Sequence, residues 1–288
     1  MAFDRILVVG ATGMLGAPVV GALQRHGYDV RVLARQADAA RARFAGCEVV
    51  EGDVRDHSTV EAALNGCMAA HVSLRGRSLA EAQEVEVTGL ANVAQAAAAT
   101  GARVSYLSGA GLGQRVARIP FAAVKLDAER RLRESGAAYT IFRPTHFMES
   151  LPMFVRGRRA EILGAQPHRY HYLAAADFAD MVARSFRRSE ARNRSFDVFG
   201  PAPFTMREAL EVYRAIACPE IRIGQSPLPV LRVVAALTRN AELSHAAKLF
   251  AAFQTIGEEG DRLPADELFG PAPMTLAQWC GARAATTP

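Results

Sequence analysis

Lysine is the scarcest charged residue in this chain of 288 residues. Lys125 and Lys248 are its only two, so the other 32 of the 34 basic residues are arginines. Cysteine is also sparse, and the four cysteines form no CxxC motif or Cys/His cluster, which argues against a zinc or redox motif. No apolar run approaches the ~18 residues of a membrane span, and the N-terminus lacks the cationic start of a signal peptide. We therefore expect a cytoplasmic protein without a metal site or a membrane partner.

The charge of the chain is modest and scattered. Its 34 basic and 29 acidic residues leave a net charge of +5, and the basic runs are short. A nucleic-acid-binding protein normally concentrates its charge on one element, so no nucleic-acid partner is expected. Half of the residues are apolar, which excludes wholesale disorder. The mild basic excess instead suits anionic small molecules.

Strand-like and helix-like segments alternate through the first 143 residues. The apolar runs predict strands over 5–9, 29–33, 48–51, 68–74, 103–107 and 139–142, and the helical periodicity predicts helices over 14–27, 58–64, 78–100 and 121–135. The spacing of Ser58 and Glu61 predicts a capping box at the start of the second helix. Strands that alternate with helices indicate an α/β fold, a doubly wound parallel sheet of the Rossmann type.

The alternation breaks after Pro144. Helices are predicted over 147–154, 174–187, 206–217 and 230–253, with short strand-like pieces over 169–173 and 195–199. We expect a Rossmann NAD(P)-binding domain over residues 1–150 and a small C-terminal α+β substrate lobe over 151–288. The lobe is expected to interleave with the Rossmann core as a single structural unit.

A glycine-rich turn lies between the first strand and the first helix. It has the pattern GxxGxxG, with glycines at Gly10, Gly13 and Gly16. In this position Gly10 permits a tight turn, Gly13 lets backbone approach a pyrophosphate, and Gly16 lets the helix pack close to the sheet. The helix N-terminus then presents free N–H groups and a positive dipole end to the anion. The turn therefore predicts a dinucleotide site, with a glycine-rich loop that binds no ligand as the alternative.

The end of the second strand indicates which dinucleotide is bound. NAD sites usually carry Asp or Glu there for the ribose 2′-OH, whereas this strand ends in Leu33-Ala34-Arg35. A guanidinium suits a 2′-phosphate, so NADP(H) is favoured over NAD(H). Asp53, after the third strand, is a candidate acceptor for the adenine amino group. The alternatives are an ordinary surface arginine at Arg35 and a turn-forming aspartate at Asp53.

Five motifs occur in an order that resembles a known family. They are VVGATGMLG at the first strand, followed by GDVRD from Gly52, YLS from Tyr106, KLDAE from Lys125 and TIFRP from Thr140. Together they resemble the atypical short-chain dehydrogenases/reductases of the NmrA-like, NAD(P)H-binding group, which are related to sugar-nucleotide epimerases and to isoflavone and quinone reductases. The resemblance implies a Rossmann sheet with a substrate lobe and an active site between the two.

The resemblance also implies a Tyr-xxx-Lys pair and a Ser or Thr after the fifth strand. The lysine matches Lys125, which is therefore the expected catalytic residue and ribose anchor. The tyrosine position holds Phe121, which cannot exchange a proton. Ser108 lies near the hydroxyl position, and Ala110 is the alternative occupant of that position. The expected cofactor-binding residues are Gly10, Thr12, Gly13, Met14, Leu15, Gly16, Arg35, Asp53, Val54, Ser108, Lys125, Pro144, Thr145 and Phe147.

Other titratable residues give weaker signals. His146 follows the sixth strand and is a candidate pocket residue, although a lone loop histidine is usually structural. Glu84, Glu86 and Glu129 are interpreted as residues of helix surfaces. Lys125 itself is open to a second interpretation, a surface pair with Glu129 at i+4.

Three functions stay open on this evidence. The first is an NADP(H)-dependent oxidoreductase that transfers hydride to a small carbonyl, enone or quinone acceptor without the usual tyrosine. The second is an NADP(H)-sensing regulator without turnover, which Phe121 favours. The third is a sugar-nucleotide epimerase, which Phe121 disfavours. A small-molecule substrate is expected, with a homodimer or a regulatory protein partner as further possibilities.

Overall fold

The computed structural model describes residues 4–112, 119–239 and 241–286. Up to Pro144 the elements are β1 (Arg5–Val9), α1 (Gly16–Arg25), β2 (Asp29–Ala34), α2 (Ala37–Arg43), β3 (Glu48–Glu51), α3 (His57–Leu64), β4 (Ala69–Val72), α4 (Leu79–Ala82), α5 (Gly89–Thr100), β5 (Arg103–Leu107), α6 (Pro120–Glu134) and β6 (Ala138–Pro144). A π-helical segment, Gln83–Thr88, connects α4 to α5.

The remaining elements are shorter and more mixed. They are β7 (His146–Phe147), a 3₁₀ helix (Met148–Phe154), β8 (Val155–Arg156), β9 (Arg159–Leu163), β10 (Tyr170–Leu173), α7 (Ala175–Ser185), a 3₁₀ turn (Ser189–Ala191), β11 (Arg194–Val198), β12 (Pro203–Phe204), α8 (Met206–Ala217), β13 (Arg222–Ser226), α9 (Leu228–Thr238), α10 (Ala241–Thr255), α11 (Leu263–Phe269) and α12 (Leu276–Thr286).

Seven parallel strands form the central sheet, in the order β11-β6-β5-β4-β1-β2-β3. The buried side chains of β1 show why both faces are covered. Ile6 and Val8 pack with α1 and α7 on one face, while Leu7 and Val9 pack with α3, α5 and α6 on the other. The four apolar residues from Ile6 to Val9 are all buried and leave this strand no solvent face, as is typical of parallel sheets. The predicted Rossmann-type α/β fold is confirmed.

The residues after Pro144 build two small sheets and a third apolar core. The sheets have the orders β12-β10-β7 and β13-β9-β8. Their core joins the 3₁₀ helix after β7 to α8, α10 and α12. Within the described ranges, no helix combines the length and the hydropathy that a membrane crossing requires.

The strand predicted over 195–199 is present as β11, which pairs with β6 and completes the central sheet. The helix predicted over 78–100 is also present, and its middle is the π segment. The helix predicted over 147–154 was wrong, because this segment forms the short strand β7 and a 3₁₀ helix that contains Pro152. Proline lacks the N–H that an α-helical ladder needs there.

The predicted helix ends also needed correction at two places. The predicted 230–253 helix is α9 and α10, and α9 ends at Arg239, whose φ of 51° leaves the helical region. The N-cap of α3 is Asp56 rather than Ser58, because the Asp56 carboxylate accepts the Ser58 N–H. The N-cap of this helix therefore lies two residues earlier than predicted, and the aspartate satisfies one of the free N–H groups of the first turn.

Candidate active site

A cavity of about 840 Å³ opens at the carboxyl ends of the central strands. Its walls include the residues that end or follow β1, β2, β4, β5 and β6, the edge at which open α/β sheets bind ligands. The predicted site residues that line it are Gly10, Thr12, Gly13, Met14, Leu15, Arg35, Asp53, Val54, Ser108, Lys125, Pro144, Thr145 and Phe147. Gly16 is not among the lining residues and lies behind the turn.

The glycine-rich turn has no room for side chains at two of its glycines. A Cβ on Gly10, whose φ is +85°, would lie 2.0 Å from the carbonyl oxygen of Ser73. A Cβ on Gly16 would lie 2.1 Å from the carbonyl oxygen of Gly10. The Gly13 N–H donates to that same Gly10 oxygen at 3.1 Å and closes the turn. The turn is therefore a backbone cradle against the cavity, as a dinucleotide site requires.

The N-terminus of α1 is left open for an anion. No side chain caps it, and its first turn contains no acidic residue. Helix N-termini carry unpaired N–H groups and about half a positive charge from the helix dipole. The donor set at this end therefore fits the pyrophosphate of a dinucleotide.

Arginines surround the end of the cavity near β2 and β3. Arg35 is exposed and lines the cavity together with Arg75 and Arg77. Asp53 also lines it, but its two carboxylate oxygens accept hydrogen bonds from the Arg55 guanidinium at 2.6 and 3.0 Å. These hydrogen bonds hold the pKa of the Asp53 carboxyl below its usual value. The carboxylate is therefore already paired with a cation beside Arg35.

Two residues that the sequence reasoning missed hold this wall in place. A Cβ on Gly89 would lie 2.7 Å from Cγ1 of Val54, so α5 approaches the wall as closely as a glycine allows. The Asn92 side chain donates to the carbonyl oxygens of Val54 and Arg55 at 2.9 and 3.0 Å. In the sequence, these two residues appear only as a glycine and an asparagine on one face of a predicted helix. That combination is too common to identify a site.

Lys125 reaches the cavity from α6 and is held by several groups. Its Nζ lies 2.7 Å from a carboxylate oxygen of Glu86 and donates to the carbonyl oxygen of Leu107 at 3.3 Å. It also lies 5.2 Å from the centre of the Tyr106 ring. Burial alone lowers the pKa of Lys125, but Tyr106 and Glu86 outweigh it and the net shift is upward. Lys125 is therefore an ammonium at neutral pH.

The interpretation of Glu86 and Glu129 as surface residues was wrong. Glu86 is buried, on the π segment, and Glu129 is buried on α6. Lys125 pairs with Glu86 and not with its i+4 neighbour Glu129. The spacing of Ala82, Glu86 and Leu90, all buried, places Glu86 on the apolar face of its helix, and this spacing was the available signal.

Glu129 binds a second set of partners behind the cavity wall. It accepts from Ser108 Oγ at 2.6 Å, from Arg143 at 2.6 and 2.9 Å, and from Arg133 at 2.7 Å. Burial alone raises the pKa of Glu129, but the hydrogen bonds from Arg143 and Ser108 outweigh it and lower the pKa. Ser108 lines the cavity, yet its hydroxyl proton is committed to a carboxylate.

The position four residues before Lys125 offers no proton. Phe121 occupies that position and lines the cavity. Ala110, at the expected hydroxyl position, also lines the cavity, and its N–H donates to the carbonyl oxygen of Pro144 at 2.9 Å. The chain therefore presents apolar groups at the position where the resembling family places its tyrosine. Residues 113–118 lie outside the described part of the chain.

Aromatic side chains from segments after Pro144 form the far end of the cavity. The His146 ring lies among Tyr170, Tyr172 and Phe253, with ring centres 4.6, 5.7 and 5.0 Å away. Burial lowers the pKa of His146 to about 4, so the ring is neutral at physiological pH. Phe253 and Tyr170 line the cavity with His146. This end suits a flat apolar molecule.

The loop after α10 closes against this aromatic wall. Glu258 accepts the backbone N–H of His171 at 2.8 Å and also contacts the His171 ring. The Thr145 hydroxyl donates to the carbonyl oxygen of His171 at 2.7 Å. Thr145 and Glu258 both line the cavity, so this cluster connects the wall after β6 to the C-terminal part of the chain.

Fold and cavity together define a Rossmann-type dinucleotide-binding protein. The chain belongs to the NAD(P)H-binding family, whose model matches residues 10–188. This finding confirms the resemblance that the sequence motifs carried.

Two relatives and one solved structure show the range of similar proteins. The chloroplastic protein High Chlorophyll Fluorescence Phenotype 244 of Arabidopsis thaliana is 28% identical to this chain, in an alignment that covers 94% of this chain and 68% of that protein. A (4-alkanoyl-5-oxo-2,5-dihydrofuran-3-yl)methyl phosphate reductase of Streptomyces griseus is 30% identical to this chain, in an alignment that covers 70% of each protein. An NADPH-dependent quinone oxidoreductase of Escherichia coli shares the fold, with a TM-score of 0.76 and 19% identity over 96% of this chain and 98% of that one.

Proposed function

We propose that this protein is an NADP(H)-dependent reductase that transfers a hydride to an enone, quinone or similar small carbonyl acceptor. The observation that carries the proposal is the continuity of one cavity. It runs from the glycine-rich turn and Arg35, past Lys125, to the aromatic wall formed with Phe253. A coenzyme and an acceptor therefore have adjoining places in the same space.

The coenzyme end fits the phosphorylated dinucleotide. The backbone around Gly13 and the open N-terminus of α1 suit the pyrophosphate. Arg35 would pair with the 2′-phosphate, and Arg75 is a further arginine of the cavity lining, whereas Arg77 is already paired with Glu81. Lys125 would hold the ribose next to the nicotinamide. Pro144, Thr145 and Phe147 would line the nicotinamide and acceptor region.

The reactions proposed for the acceptor end are those that need no tyrosine as proton donor. The reduced nicotinamide supplies a hydride when it is bound. Reduction of a quinone or enone leaves an oxyanion that water protonates, so Phe121 is compatible with it. The Lys125 ammonium would stabilise developing negative charge without giving up its proton. The Streptomyces relative is named for reducing an unsaturated lactone ring, an acceptor of this class.

A regulator that senses NADP(H) is the second candidate. Phe121 favours it, because the side chain removes the usual proton donor from the cavity wall. The Arabidopsis relative is named for a phenotype rather than a reaction. Such a regulator would bind the oxidised and reduced coenzymes with different affinities and would need a protein partner. A cytoplasmic location stays a prediction under either function.

Coenzyme selectivity tests the first step of the proposal. In fluorescence titrations the wild type is expected to bind NADPH more tightly than NADH. Arg35→Glu should weaken NADPH binding ~10- to 100-fold, the range of one lost charge-assisted contact, and should leave NADH binding nearly unchanged. Arg222→Glu, an exposed arginine outside the cavity lining, is the matched control. Equal losses for both coenzymes in Arg35→Glu would contradict the assignment.

A further inference from the structure

A buried carboxylate faces the only lysine of the cavity wall. The Glu86 side chain is 2% exposed, and its two oxygens have different partners. One oxygen lies 2.7 Å from Lys125 Nζ, and the other accepts the Gly76 N–H at 2.9 Å. Glu86 therefore joins the loop after β4 to α6, across the wall of the cavity.

We propose that Glu86 is the positioning residue of this site: its carboxylate fixes the Lys125 ammonium against the cavity wall, one helical turn from Phe121, so that Lys125 acts as a permanent cation and hydrogen-bond donor. The use of that cation toward a coenzyme or an acceptor rests on the proposed reductase function. The pairing of the two side chains does not.

The backbone around Glu86 is shaped for this contact. Glu86 lies in the π segment, between two α-helical stretches. Wide turns of this kind are rare and occur often at functional sites. Gly76 approaches the start of this helix so closely that a Cβ would lie 2.2 Å from the Ala82 nitrogen. Loop and helix are therefore pressed together where the Glu86 carboxylate receives the Gly76 N–H.

Each element packed around Lys125 contributes a different group. From β5 come the Leu107 carbonyl oxygen and the Tyr106 ring, and from the π segment comes Glu86. Glu129 lies one turn further along α6, but its oxygens are bound to two arginines and a serine. Glu86 is thus the carboxylate that pairs with the ammonium.

The charge balance makes this pairing necessary. An isolated ammonium in a buried place tends to lose its proton, because burial disfavours the charged form. Glu86 and Tyr106 reverse that tendency, and the pKa of Lys125 rises. A lysine with a raised pKa is a poor proton donor at neutral pH but a steady hydrogen-bond donor. Removing only the Glu86 charge should therefore lower the Lys125 pKa while the burial stays the same.

The scarcity of lysine allows a direct measurement. Because the chain has two lysines, protein labelled with [¹³C]lysine gives two side-chain Cε signals, and Lys125→Arg assigns them. Lys248 on α10 is exposed and serves as the internal reference. In the coenzyme-free wild type, Lys125 should titrate above the usual lysine value of about 10.4. A midpoint at or below that value overturns the proposal without any variant.

Glu86→Gln tests the cause of the shift. The glutamine oxygen still accepts the Gly76 N–H, but its NH2 group then faces Lys125, so the variant loses both the negative charge and the acceptor for the ammonium. The Lys125 midpoint is expected to fall below the usual lysine value of about 10.4, because burial then disfavours the ammonium without the opposing carboxylate. Glu134→Gln is the matched control, because Glu134 is an exposed glutamate on α6, the helix that carries Lys125. This variant should leave the Lys125 midpoint unchanged. An unchanged midpoint in folded Glu86→Gln would overturn the proposal, and Glu86→Asp, which keeps the charge, should restore part of the shift.

The pH profile of coenzyme binding supplies the second readout. From pH 7 to 9.5 the wild-type Kd for NADPH should stay constant, whereas Glu86→Gln should lose affinity on the alkaline side as Lys125 deprotonates. Profiles that run parallel in the two proteins would contradict a positioning role. If the wild type binds no coenzyme at all, the reductase proposal fails, and the lysine titration still decides the role of Glu86.

Discussion

The two ends of the cavity differ in the chemical groups that line them. The proposed coenzyme end consists of the backbone of the glycine-rich turn, an open helix N-terminus and exposed arginines such as Arg35. The proposed acceptor end consists of side chains, among them His146, Tyr170 and Phe253, which come from separate segments of the chain. A site formed by backbone groups tolerates few substitutions and has a recognisable sequence pattern. A site formed by side chains depends on long-range packing, and substitutions can adapt it to another acceptor.

The largest effect is expected from a single methyl group at the coenzyme end. Gly10→Ala combines a positive φ, which costs an alanine about 1–2 kcal/mol, with a Cβ 2.0 Å from the Ser73 oxygen. We expect NADPH affinity to fall more than 100-fold and Tm to fall with it. Gly101→Ala is the control, because Gly101 has a φ of +73° and no atom within 4 Å of its Cβ position. If both variants lose the same Tm and keep coenzyme affinity, the turn is not a cradle.

An intermediate effect is expected from pH at the acceptor end. Burial lowers the pKa of His146 to about 4, so the unfolded chain, with a histidine pKa of about 6.5, takes up this proton first. The free energy of unfolding should therefore fall between pH 6.5 and pH 4, by about 1–2 kcal/mol at pH 5 from this group. Urea denaturation at pH 7 and pH 5 measures the fall, which should be smaller in His146→Phe. Equal falls in the two proteins would mean that His146 is not held neutral.

The smallest effect is expected from the rim of the acceptor end. Met153 is 58% exposed and lines the cavity, whereas Leu263 is 61% exposed and does not. Met153→Ala should raise the KM for a quinone ~3- to 10-fold, because losing the apolar contact costs about 1 kcal/mol, and should leave the Kd for NADPH unchanged. Leu263→Ala should change neither constant. A shift in the Kd for NADPH by Met153→Ala would mean that the two ends are not separate.

The sequence allowed the coenzyme end to be predicted because its requirements are local. A strand, three spaced glycines and a helix occur within the first 25 residues, and Arg35 follows the next strand. Parallel strands meet at one edge, so the residues after β5 and β6 were also expected there. Ser108 and Thr145 do line the cavity, although both hydroxyls are bonded to protein groups.

The acceptor end and the buried charges could not be predicted in the same way. A glutamate on an alanine-rich helix resembles a surface residue unless its partner is known, and the partner of Glu86 lies 39 positions away in Lys125. The strand over 194–198 gave no indication that it would pair with β6, because a short apolar run does not specify its sheet. The break between α9 and α10 has no proline or glycine to mark it.

Single-turnover oxidation of NADPH tests the central claim most directly. Protein is mixed with one equivalent of NADPH and a panel of quinones, enones and aldehydes, and the loss of absorbance of the reduced coenzyme is followed. The account predicts oxidation that requires a quinone or enone and slows at least 100-fold in Lys125→Ala. Tight binding of NADPH without oxidation by any acceptor would contradict the reductase and leave the regulator.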